Sequence, residues 1–178
     1  MPTTYALIAL AACSLAVAGA ARDAATPVSD AVRSAAARAE KNFIAAAEDM
    51  PAGKYGFKPT AAQMTFGEVI IHMSGGNDTF CSSIGGVPAP KRRELGAGAA
   101  KEQLVTRLRE TFRFCETALS KVNDSRLGGM VPYFGSGEVS QAAAIVAAAE
   151  EWAGHYSQIA VYLRLNGLLP PTARSNPA

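Results

Sequence analysis

The chain has 178 residues and a formal net charge of +2, with 49 % apolar and 18 % charged residues. That balance excludes an intrinsically disordered chain, and the length suits one domain with a sizeable core. The charges are spread, with no basic run interleaved with aromatics, so nucleic acid is not an expected partner. Alanine placed in helix-like runs points to an all-α fold.

Residues 1–20 read as a signal peptide. No charged side chain precedes Arg22, Tyr5–Val17 is almost wholly apolar, and Ala18-Gly19-Ala20 has the A-x-A cleavage pattern. The run falls a little short of the ~20 residues a membrane span needs. Leu10-Ala11-Ala12-Cys13 has the look of a lipoprotein cleavage box, yet the apolar run continues past Cys13, which favours cleavage near Ala20. The expectation is export, to the periplasm or beyond, with residues 21–28 as a linker to a domain over 29–172.

Ser29 or Asp30 is placed to cap a first helix that runs to about Met50, where Pro51 and Gly53 stop it. Val32, Ala36, Ala39, Phe43, Ala46 and Met50 trace its buried stripe. Lys54–Thr60 is a short aromatic loop. Thr65 opens a second helix with Glu68 at the capping-box distance, and that helix ends near Gly85-Gly86. Gly75-Gly76 in mid-helix costs roughly 1 kcal/mol per glycine against alanine, which predicts close packing or a bend there.

Val87–Gly98, with two prolines and the basic cluster Lys91-Arg92-Arg93, is the longest connection. Its length permits a crossover that makes helices two and three parallel. The third helix, about Ala100–Val122, places Leu104, Leu108, Phe112, Cys115, Leu119 and Val122 at intervals of three and four. Asp124–Glu138 reads as a glycine-rich loop. The fourth helix covers about Val139–Asn166, with Gly167 as its stop, Pro170-Pro171 beyond it, and residues 173–178 as a tail. No repeat and no strand stands out. Four amphipathic helices of this length give a four-helix bundle.

The chemistry concentrates on the fourth helix. Glu151, His155, Gln158 and Tyr162 recur at i, i+4, i+7 and i+11, on one helical face. Glu151 and His155 one turn apart, with His72 from the second helix, make a three-donor set for a divalent ion such as zinc, nickel or iron, leaving open coordination positions. Glu68 lies one turn before His72 and is placed to orient its imidazole; Asn77, Gln158 and Tyr162 are candidates for lining the pocket. The plainer reading is a hydrogen-bonded core histidine and a solvated Glu150-Glu151 edge.

YGFKPTAAQMTFGEVIIHMSGGNDTFC (Tyr55–Cys81), followed by HYSQIAVYLRLNGLLPP (His155–Pro171), resembles the DinB family, specifically bacterial members that end in a YLRxNGxxPP segment. The likeness extends from Ala31 to about Thr172. It implies a four-helix bundle in up-down-down-up order and a metal site of three histidines, one on the second helix and an HxxxH pair on the fourth. His72 matches the first and His155 the last, while Glu151 stands where the middle histidine is expected. Ser157 likewise replaces the glycine of an HxGQ motif. Relatives are described as metal-dependent hydrolases or as thiol-dependent transferases and isomerases, and fold kinship does not choose among these.

Two functional expectations follow. In the first, a metal at His72, Glu151 and His155 lowers the pKa of a water or thiol and presents it to a small-molecule substrate. In the second, a metal-free bundle binds a small apolar ligand or a partner helix. Homodimer assembly through an exposed helix face stays open. Separately, Cys81 lies sixteen residues after Thr65 and Cys115 sixteen after Ala99. On parallel neighbouring helices their sulfurs would reach similar heights and could bridge in an exported protein, the alternative being two buried thiols.

Overall fold

The computed structural model describes residues 26–174 other than Ala97 and Ser136. The expected signal peptide, the Cys13 box and most of the linker and tail lie outside the described residues. Among those described, four α-helices dominate: α1 Pro27–Asp49, α2 Phe66–Gly85, α3 Lys101–Leu119 and α4 Gln141–Leu165. No helix among them is long and apolar enough to cross a membrane.

The helices form where the apolar period dictates, and their ends show what the pattern alone misses. α1 buries Val32, Ala36, Ala39, Phe43, Ala46 and Ala47 on one stripe. It begins earlier than Ser29 or Asp30, because Pro27 occupies the first turn with its φ already helical. Its cap comes from far along the chain. The Asp124 carboxylate accepts the backbone N–H groups of Val28 (2.9 Å) and Ser29 (2.8 Å), together with the Ser29 hydroxyl. α2 starts as read: Glu68 N–H donates to Thr65 Oγ1 (3.2 Å), and Thr65 N–H donates to Glu68 Oε2 (2.7 Å).

Topology follows from cross-helix register. Asn77 bonds Thr111, and Cys81 is disulfide-linked to Cys115, each pair 34 residues apart, so α2 and α3 run parallel. The Ile84 carbonyl meets Gln141, Asn77 meets Trp152, and the Met64 carbonyl meets Tyr162, so α4 runs against α2. Arg33 reaches the Leu119 carbonyl and Lys101 the Met50 carbonyl, so α1 runs against α3. The order is up-down-down-up, with α2 and α1 each packed on both α3 and α4. The long crossover between α2 and α3 is pinned by Arg92, which bonds Asp78 (2.7 and 3.1 Å) and Glu110 (3.1 Å). The basic cluster is thus partly spent on structure.

Two expectations need correcting. The region read as a plain loop contains a small antiparallel hairpin, β1 Met130–Pro132 with β2 Glu138–Ser140, in which Val131 pairs with Val139. Strands of three residues show no readable alternation. The turn needs left-handed backbone at Phe134, Gly135 and Gly137, which two glycines supply without strain. Because Val139 belongs to β2, α4 begins later than expected, capped by Ser140. The second correction concerns close packing at Gly75-Gly76, one of the two alternatives expected there. A Cβ added at either meets nothing within 4 Å, so neither permits close packing. The glycine that does is Gly85, where a Cβ would fall 2.4 Å from the Ala118 carbonyl oxygen on α3.

Candidate metal centre

α2 and α4 pack antiparallel, so a residue midway along one faces a residue midway along the other. His72 and His155 meet in this way, with ring centroids 4.6 Å apart and planes at 64°. Glu151, one turn before His155 on α4, reaches the same point. Its Oε2 lies 3.0 Å from His155 Nε2 and 3.9 Å from His72 Nε2. One donor atom from each residue falls within 4.8 Å of the others. The burial is graded: the His155 side chain is 20 % exposed, Glu151 43 % and His72 50 %. The site is anchored on the α4 side and open to solvent on the α2 side.

These spacings can be compared with what an ion demands. Donors held about 2.1 Å from one ion stand ~3.0 Å apart at right angles and ~3.4 Å apart at tetrahedral angles. The His155–Glu151 spacing already falls there. The half-exposed His72 needs only a small side-chain adjustment to close its gap. Two neutral imidazoles and one carboxylate form a borderline-soft set with net charge −1, suited to zinc, nickel or iron(II).

The remaining sequence-predicted residues divide sharply. Gln158 and Tyr162 lie beside the centre: His155 Nδ1 is 3.0 Å from Gln158 Oε1, Gln158 Nε2 donates to the Tyr162 oxygen at 3.1 Å, and the Tyr162 hydroxyl donates to the Met64 carbonyl at 2.8 Å. Tyr162 is nonetheless buried, so it backs the site rather than lining a pocket. Glu68 does not orient His72. Its carboxylate is engaged by Thr65, and that backbone hydrogen bond holds it below the ordinary carboxylate range. Asn77 is also elsewhere, in the core, accepting the Trp152 indole N–H at 2.8 Å and donating to Thr111 at 3.3 Å.

One participant carried no sequence signal. The Met64 carbonyl is a backbone atom, and nothing in the loop before α2 marks it. Phe57, from the aromatic loop, packs edge-on against the Tyr162 ring with centroids 6.0 Å apart, which gives that loop a role in holding the site.

A family model described as the DinB superfamily matches residues 35–159, well over half of the chain. The chain belongs to the DinB superfamily. Solved DinB-like structures share its architecture. A DinB-like protein from Bacillus subtilis aligns with a TM-score of 0.65 at 18 % identity, covering 82 % of this chain and 99 % of that one. A DinB-like protein from Bacillus cereus gives 0.65 at 15 % identity, with 80 % and 95 % covered. A conserved protein from Enterococcus faecalis gives 0.60 at 16 % identity, with 76 % and 94 % covered. At these identities the likeness establishes the DinB-like fold alone. No curated protein matches the chain.

Proposed function

We propose that His72, Glu151 and His155 form a divalent-cation centre, and that this DinB-like protein uses it as a metal-dependent hydrolase or thiol-dependent transferase on a small substrate. The observation that carries the reading is the convergence of three donors from two helices on one ion-sized gap. His72 and His155 would bind through Nε2, and Glu151 through its carboxylate. A divalent ion there would supply Lewis acidity and lower the pKa of a water or thiol at an open position. The protein's share is to leave those positions accessible. His72 is half exposed, so solvent reaches the cluster from the α2 side. The disulfide supports residence outside the reducing cytosol.

The test is metal content and its loss. Protein purified without a histidine tag should bind close to one equivalent of zinc, nickel or iron(II). His72→Ala should abolish this while leaving the helical circular-dichroism signal intact. A metal-free bundle is the rival, favoured by the same 3.0 Å contact if a protonated His155 pairs directly with Glu151. No binding of any of these ions near one equivalent would decide for it.

A further inference from the structure

Building on that metal-centre reading, we infer that Tyr162 and Gln158 are positioning residues that set the tautomer of His155, keeping its Nε2 lone pair available to an ion. The direction of the hydrogen-bond chain follows from its far end. A backbone carbonyl can only accept, so the Tyr162 hydroxyl spends its proton on Met64, 2.8 Å away. The Tyr162 oxygen is then an acceptor toward Gln158, which must present its NH₂ group there, at 3.1 Å. This turns Gln158 Oε1 toward His155 Nδ1, at 3.0 Å, and an amide oxygen in that place is satisfied only by a ring N–H.

Neutral imidazole carries one N–H. With that hydrogen on Nδ1, Nε2 is left as a lone pair facing the Glu151 carboxylate at 3.0 Å. A lone pair and a carboxylate oxygen at such a distance repel unless they share a metal ion or, in the metal-free alternative, a second ring proton. The opposite orientation of the Gln158 amide would offer NH₂ to Nδ1, move the ring hydrogen to Nε2 and block ligation. Tyr162 is what forbids that reversal. It acts on His155 only through Gln158, from a buried position steadied by Phe57.

The decisive variant is Tyr162→Phe, which keeps the ring and removes the hydroxyl. Gln158 is then free to turn either way, and Zn²⁺ affinity, read by competition with a chromophoric chelator, should fall by about 10–100-fold with the helical signal retained. Adding Gln158→Glu in the Tyr162→Phe background should restore affinity, because a carboxylate accepts from Nδ1–H in either orientation and offers no hydrogen of its own. A merely structural role for Tyr162 would not be rescued in this way. Wild-type affinity in Tyr162→Phe, or no recovery in the double variant, would overturn the inference. A second measurement stands apart from metal binding: nitrogen NMR of His155 in the metal-free Glu151→Ala full chain, at a pH where the ring is neutral. The Nδ1–H form is expected, and the Nε2–H form would sink the relay. If Nδ1–H is found but wild-type protein takes up no ion, the relay stands and only the metal-centre reading fails.

Discussion

Trp152 donates its indole N–H to the side-chain oxygen of Asn77, 2.8 Å away, in the buried middle of the bundle. Asn77 in turn donates to Thr111, so one amide joins α2, α3 and α4. The contact sits next in sequence to Glu151, and it ties that stretch of α4 to α2. Replacing Asn77 with leucine leaves a buried indole N–H without a partner. We expect a loss of about 1–3 kcal/mol, read by urea unfolding. An unchanged midpoint would mean the indole finds another acceptor.

The disulfide between Cys81 and Cys115 closes a loop with a sequence separation of 34 residues. Loop-closure entropy for that length gives roughly 3–4 kcal/mol of stabilisation. Replacing both cysteines with serine should lower stability by an amount of that order. In the native protein, no thiol from this pair should titrate under denaturing, non-reducing conditions.

Glycine position makes a contrasting pair. Gly85→Ala would push a methyl into the Ala118 carbonyl on α3 and should destabilise by about 1–3 kcal/mol. Gly76→Ala meets open space and should stabilise by up to about 1 kcal/mol through helix propensity. Thermal unfolding of the two single variants should move in opposite directions.

The capping carboxylate of Asp124 predicts an acid dependence. Partial burial raises its pKa, but the hydrogen bonds from Ser29 and Val28 outweigh this and bring it below the ordinary value. A depressed carboxylate contributes stability above its unfolded pKa and loses it as pH falls through the folded one. Asp30 and Glu68 are shifted the same way. The wild-type melting temperature should therefore drop more steeply below about pH 4 than that of Asp124→Asn, and parallel curves would contradict the cap.

Replacing Glu151 by histidine tests the centre's unusual member. If the three positions share an ion, Glu151→His should keep one equivalent bound and shift preference toward nickel and zinc over iron(II), since imidazole is the softer donor. Equal loss of all three ions would show that the carboxylate is required.

Much of this is legible in the sequence alone. The 3.6-residue stripe of α1, the capping box at Thr65 and the crossover length all spoke to local or nearest-neighbour physics, which sequence encodes directly. Cys81 and Cys115 were readable because equal offsets from two helix starts become equal heights once the helices are parallel. Glu68 and Asn77 misled for one shared reason: helical spacing gives a residue's face but not its hydrogen-bond partner. Glu68 was taken by a backbone N–H three residues away, and Asn77 by an indole 75 residues away. The α1 cap and the Met64 acceptor were invisible because each depends on a distant segment arriving, and the hairpin because its strands are shorter than any period that could announce them.

Gln141 grips the Ile84 carbonyl near one end of the α2–α4 seam, and Tyr162 grips the Met64 carbonyl near the other. Like a vice closed at both screws, this seam has little freedom to slide or widen between its fixed points. The separation of α2 and α4 at His72 and His155, between those two clamps, is therefore set by contacts outside the cluster more than by the cluster's own side chains.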